Sequence, residues 1–228
     1  MKITFISDTH TKHEEISKDL PGGDLIIHAG DLMNSGYEPI DITRFVNWYS
    51  SLLTMDYKHR VFIAGNHDRM FEDNPELTKE LINAYSGGLI YLQDQTHVID
   101  SVKIYGSPWQ PEFYDWAFNL PRNGEEIRGK WNLIPQNTDI LITHGPPFGK
   151  LDFVNRGGNV GCEELLGRVG DVKPKIHVFG HIHEGAGYVF DGTTHFFNAS
   201  VLNDRYEFRN KPITIDWNPE TNEIEFVD

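Results

Sequence analysis

Five short apolar runs of this chain finish in side chains of the kind that hold metals, and that recurrence constrains the fold more than any other feature. Ile3 to Ile6 leads into Asp8 and His10, Asp24 to His28 into Asp31, and Arg60 to Ala64 into Asn66, His67 and Asp68. Asp139 to Thr143 leads into His144, and Lys175 to Phe179 into His181 and His183. Each run is short and bounded by turn residues, so each reads as a strand. One Asp or His at a strand end is commonly a turn former. Five such ends call for a fold that gathers them at one edge. His181 and His183 are two apart, so an extended segment aims both at a single point.

Helical patterns alternate with these strands. Ile42, Phe45, Val46, Tyr49, Leu52 and Leu53 recur at helical spacing and predict a helix over 41–53. Asn74-Pro75 caps a second helix whose apolar face is Leu77, Leu81, Ile82 and Tyr85. Three short strands fit between Leu89 and Gly106. Asn123-Gly-Glu-Glu126 resembles a capping box for a helix through Trp131, and Cys162 to Val169 reads as a helix stopped by Gly170. The tail holds two hairpins, one turning at Asp191-Gly192 and one joining Pro212–Trp217 to Glu223–Val227. A βαβ-like front and an antiparallel tail predict an α/β protein whose sheet is partly mixed, or two sheets packed between helices, and not a simple doubly wound sheet. The 228 residues are expected to form one domain, 1–228, with a sizeable core.

The single cysteine, Cys162, can make no internal disulfide and reads as a small core residue in a reducing compartment, so a cytoplasmic location is expected. No apolar run is long enough for a transmembrane helix, and no secretion signal opens the chain. The formal net charge of -14 disfavours long nucleic acid as a partner, because a phosphate backbone is held by Lys and Arg. Two bound divalent cations would add about +4 at one spot, so a small phosphorylated ligand, a nucleotide among the candidates, remains compatible. Oligomeric state is not legible here.

The order DxH, GD, GNHD, a lone His and GHxH resembles the calcineurin-like metallophosphoesterases. Ile104-Tyr-Gly-Ser-Pro-Trp109, Thr143-His-Gly-Pro-Pro147, His177-Val-Phe-Gly180 and Asn198-Ala-Ser200 are further similar to the metallophosphoesterase domain-containing proteins. The resemblance implies a four-layer α/β/β/α sandwich. It also implies one metal on Asp8, His10, Asp31 and His183, and another on Asp31, Asn66, His144 and His181, with His67 catalytic. Some relatives carry Gly where this chain has His181, so the resemblance implies a complete site here. The phosphoprotein phosphatase branch has an Asp where this chain has Asn34, which weakens the likeness to that branch.

The physical sense stands beside the name. A carboxylate has two oxygens, so Asp31 can span cations about 3.5–4 Å apart. Carboxylate, imidazole and amide donors without thiolate suit Mn first, with Fe, Zn, Co or Mg also compatible. Two such ions lower the pKa of a shared water and draw charge from phosphoryl oxygens. Asn66 and His67 are adjacent, so if Asn66 faces metal His67 faces substrate. Asp68 reads either as a support for the site or as a turn residue. His28 reads as a hydrogen-bonded core histidine, while His13, His59, His97, His177 and His195 show no partner pattern. The aromatic stretch from Trp109 to Phe118 reads either as loop anchoring or as a stacking wall. The expected activity is hydrolysis of small phosphodiesters, cyclic nucleotides included. A monoesterase or nucleotidase, a nucleotide-binding protein with weak turnover and a structural metalloprotein are the competing readings.

Overall fold

The computed structural model describes residues 1–84, 88–155 and 157–227. Its strands are β1 (Lys2–Ile6), β2 (Leu25–Ala29), β3 (His59–Ile63), β4 (Leu89–Tyr91), β5 (Gln95–Ile99), β6 (Val102–Ser107), β7 (Gln110–Pro111) and β8 (Asn119–Leu120). They continue with β9 (Ile140–Thr143), β10 (Phe153–Val154), β11 (Gly158–Asn159), β12 (Ile176–Phe179), β13 (Gly187–Phe190), β14 (His195–Asn198), β15 (Ile213–Trp217) and β16 (Ile224–Phe226). The α-helices are α1 (Pro39–Ser51), α2 (Arg69–Asp73), α3 (Pro75–Ala84), α4 (Glu125–Asn132) and α5 (Glu163–Val172).

Two six-stranded sheets carry the fold, in the orders β16-β15-β1-β2-β3-β4 and β13-β14-β12-β9-β6-β5. Both are mixed. β1 to β4 are parallel with β15 and β16 antiparallel at one edge, while β6, β9, β12 and β14 are parallel between antiparallel β5 and β13.

Alternation along the strands explains the layering, because successive side chains leave opposite faces. Ile27, Val61 and Ile63 meet Ile104, Ile140, Ile142 and Val178 in a core between the sheets. Ile26 and Phe62, one residue out of phase, face Phe45, Val46 and Tyr49 of α1. On the other side Tyr105, Leu141, Phe179 and Phe196 pack on Ile127 and Trp131 of α4 and Leu165 and Val169 of α5. The order is therefore helix, sheet, sheet, helix, as expected.

Two helix ends differ from the expectation. No side-chain cap forms at α4, whose N-cap is Gly124, because Asn123 lies outside in the left-handed region at φ 57°. α5 runs through Gly170 to Val172, and Lys173 at φ 53° ends it. Gly170 faces open space and imposes no break. Tyr85 lies outside the described residues. Cys162 is buried as α5's cap, its sulfur accepting from the Leu165 N–H and the Trp131 Nε1–H.

His28 is a satisfied core residue: its Nδ1 accepts from the Gly30 N–H, and its Nε2 lies 2.9 Å from Thr9 Oγ1. Burial pushes His28 and His177 down to about 3 and His13 to about 4. All three are neutral in the fold at neutral pH, whereas the unfolded chain protonates them below about 6.5. Stability from this source is full above pH 6.5 and is lost as pH falls toward 4, at a limiting slope of about 1.4 kcal/mol per pH unit for each histidine. Urea midpoints measured between pH 7.5 and 4.5 should decline accordingly, and His177→Gln should flatten the decline.

Candidate metal centre

The carboxyl ends of β1, β2 and β3 in one sheet and β9 and β12 in the other open onto the same edge of the sandwich. This brings Asp8, His10, Asp31, Asn66, His67, His144, His181 and His183 together. Three sets of donor atoms each lie mutually within 4.8 Å: Asp8, His10 and His183; Asp31, His144 and His181; and His10, Asp31 and His67. None of His13, His28, His59, His97, His177 or His195 joins such a set among the described residues.

Glycines make this convergence sterically possible. A Cβ on Gly65 would strike Asp31 Oδ1, and one on Gly180 would strike Asp8 Oδ2 and Ser7 Oγ. The glycine of each motif thus leaves room for the carboxylate of another. The turns are strained as well. Asp8, His10, Asp31 and His181 have φ of 56°, 41°, 59° and 66°. Such left-handed conformations cost about 1–3 kcal/mol per non-glycine residue, and they concentrate at sites where geometry serves function.

Main-chain contacts then aim the side chains. His10, His144 and His183 donate Nδ1–H to the carbonyls of Met33, Ala29 and Asn203 at 3.1, 2.9 and 2.8 Å. That fixes the tautomer and leaves each Nε2 facing the pocket, the usual device for orienting a metal-binding histidine. His10 Nε2 is buried without a hydrogen-bond partner and sits 3.7 Å from Asp31 Oδ2. His144 Nε2 is 3.3 Å from Asp31 Oδ2 and 2.9 Å from Asn66 Oδ1, and His183 Nε2 is 3.5 Å from Asp8 Oδ1. Asp31 Oδ1 accepts from the His67 N–H at 2.8 Å, and Ser200 Oγ donates to Asp8 Oδ2 at 2.7 Å.

Asp68 proves to be a brace. Fully buried, it accepts the N–H groups of Gly65, Asp31, Leu32 and Met33 at 2.7–3.3 Å, tying the β2 and β3 loops together. Burial, with the charge of Asp31 beside it, raises its carboxyl to about 8.

The electrostatics of the pocket call for positive charge. Burial alone would raise Asp8 and Asp31, yet the His183 imidazole beside Asp8 and the His144 imidazole beside Asp31 hold both carboxyls below the ordinary range. Burial works against His144 and His183, but Asp31 and Asp8 respectively lift them to about 9. His10 and His181, where burial prevails, fall to about 4 and about 3. Neutral imidazoles, buried carboxylates and an orphaned Nε2 form a donor set that fits divalent cations. The histidine protons occupy the charge that such ions would supply, so metal binding should release protons.

The aromatic collar draws two of its rings from the Trp109 to Phe118 stretch and a third, Tyr206, from a loop the sequence did not flag. Trp116 stacks on His67 at 4.1 Å, Tyr206 sits edge-on to His10 at 4.7 Å, and Phe113 lies edge-on to His181 at 5.6 Å. Tyr206 belongs to a polar loop with no motif around it, and only tertiary contact reveals it. The aromatic stretch is divided in its roles: Trp109 and Phe118 pack against the core, while Phe113 and Trp116 reach the pocket. Ser200 was legible only through the Asn198-Ala-Ser200 resemblance.

Fold and pocket define the class: a four-layer α/β/β/α sandwich whose strand ends assemble a candidate metal-ligand cluster drawn from both sheets. The calcineurin-like phosphoesterase family matches residues 1–185, and the chain belongs to that family. It is 44% identical to human metallophosphoesterase domain-containing protein 1, over 94% of this chain and 70% of that one. It is 38% identical to the Caenorhabditis elegans UPF0046 protein T07D4.2, over 95% of this chain and 60% of that one. The crystal structure of TT1561 of Thermus thermophilus superposes with a TM-score of 0.64 at 14% identity, over 100% of this chain and 98% of the other, and shares the fold. No described helix is long and apolar enough to cross a membrane.

Proposed function

We propose that this chain hydrolyses small phosphodiesters with two divalent cations, manganese foremost. Asp8, His10, Asp31 and His183 would hold one, and Asp31, Asn66, His144 and His181 the other. The observation that carries this reading is the set of histidines whose Nδ1 atoms are tied to main-chain carbonyls, with Nε2 left facing two buried carboxylates. Bound there, two cations supply a nucleophile from water at neutral pH and neutralise charge on the phosphoryl oxygens.

The protein's own share of the work is orientation and proton handling. Asp31 is central to both clusters, and its second oxygen is already fixed by the His67 N–H. The His67 ring donates Nδ1–H to the Asn34 carbonyl at 2.5 Å and is clamped by Trp116. Its Nε2 is then the atom left for the leaving oxygen, to which the ring, when it carries a proton on both nitrogens, would deliver the Nε2 proton and remain as the Nδ1–H tautomer. The missing carboxylate at Asn34 is thus replaced by a main-chain carbonyl, which orients the ring without adding charge.

The test is turnover by the manganese-loaded protein of bis- and mono-p-nitrophenyl phosphate. Faster cleavage of the diester is expected, preference for the monoester would favour the nucleotidase alternative, and failure on both would end the enzymatic reading.

A further inference from the structure

A slot of about 380 Å³ opens beside His181, lined by Pro111, Phe113, Pro146, Val160, Cys162 and Ile182. Its walls are mainly apolar side chains from four separate segments. Phe113 is at once a wall of the slot and the ring edge-on to His181, so the slot continues the candidate metal centre. The charged groups around it point to the kind of guest. Arg122, the cation on its lining, is committed: it donates to the carbonyls of Gly161 and Val160 and pairs with Glu163 at 2.9 Å. Glu112 and Glu184 line it as carboxylates. One polar group in its wall is unmet, since Gln110 is buried and its Oε1 has no hydrogen-bond partner.

We propose that this slot is the specificity pocket for the organic arm of the phosphate ester, and that it selects an uncharged, flat, aromatic arm over small alkyl or anionic ones. The inference rests on the phosphoesterase reading, which places phosphorus at the histidine cluster. A flat ring entering between Phe113, Pro146 and Val160 buries apolar area and meets a ring edge. An arm with a second negative charge would meet Glu112 and Glu184 with no uncommitted cation on the slot lining to compensate it.

Calorimetric titration of the manganese-loaded protein with methylphosphonate, 2-naphthylphosphonate and 3-phosphonopropionate tests this without turnover. The naphthyl compound should bind at least about tenfold more tightly than the methyl one, with the carboxylate-bearing compound the weakest, because one ring burial contributes about that much. Val160→Trp, which fills the slot, should bring the naphthyl-to-methyl ratio to about 1, and Phe113→Ala should reduce it several-fold. Phe113 is 48% exposed, so its truncation leaves the core intact. Equal affinity for methyl and naphthyl in the unaltered protein, or a ratio that survives both substitutions, overturns the slot while leaving the phosphoesterase reading in place. Binding of none of the three, with no cleavage of p-nitrophenyl esters, overturns both.

Discussion

Replacing Asp31 with asparagine is expected to strip both cations at once and to lower phosphodiester turnover by about 10³-fold or more, since positioning and charge neutralisation fail together. Asp31 Oδ2 faces His10 and His144 from opposite clusters, and its Oδ1 is held by the His67 N–H. An amide keeps the shape and loses the charge. ICP-MS on the purified variant should show both ions depleted, whereas His181→Ala should mainly empty the second position. Equal loss in the two variants would contradict the assignment of Asp31 as the shared ligand. Stability gives an independent measure. A ligand at 100 times its Kd adds about 2.7 kcal/mol, which for a chain of this size raises Tm by about 5–10 °C. The unaltered protein should show that rise on adding manganese, and the Asp31→Asn variant should show little of it.

The second large effect is expected at His67. His67→Ala should lower turnover by about 10²–10⁴-fold while both ions remain bound, if, as proposed, the residue handles a proton rather than a metal. The geometry permits a rival role, since a ring nitrogen of His67 lies within 4.8 Å of donor atoms of His10 and Asp31. Metal counting separates the two: an ion lost in His67→Ala makes it a ligand. The Asn34 carbonyl, not its side chain, receives the His67 Nδ1–H, so Asn34→Ala should leave turnover within about twofold.

The strands were legible because their apolar residues are short, bounded and either continuous or alternating, as in the four-residue runs of β9 and β12. The helix ends were less so. Gly170 looks like a stop in the sequence, but a glycine facing open space costs a helix only about 1 kcal/mol, and packing of Leu165, Val169 and Val172 carries α5 past it. The Asn123 capping box failed because the backbone there turns left-handed before the helix begins. Asp68, ambiguous in the sequence, acquires its role from four N–H groups of two loops that are remote in the chain.

What the chain's letters determined alone was the inventory of candidate donors. Strand-end residues need only local alternation and turn chemistry to be recognised, and the order of Asp8, His10, Asp31, Asn66, His67, His144, His181 and His183 follows from that. Which carbonyl fixes which imidazole, that Trp116 and Tyr206 wall the pocket, and that a largely apolar slot opens beside His181 were decided by tertiary structure. These are contacts between segments far apart in the chain, such as Ala29 with His144, and no local periodicity encodes them.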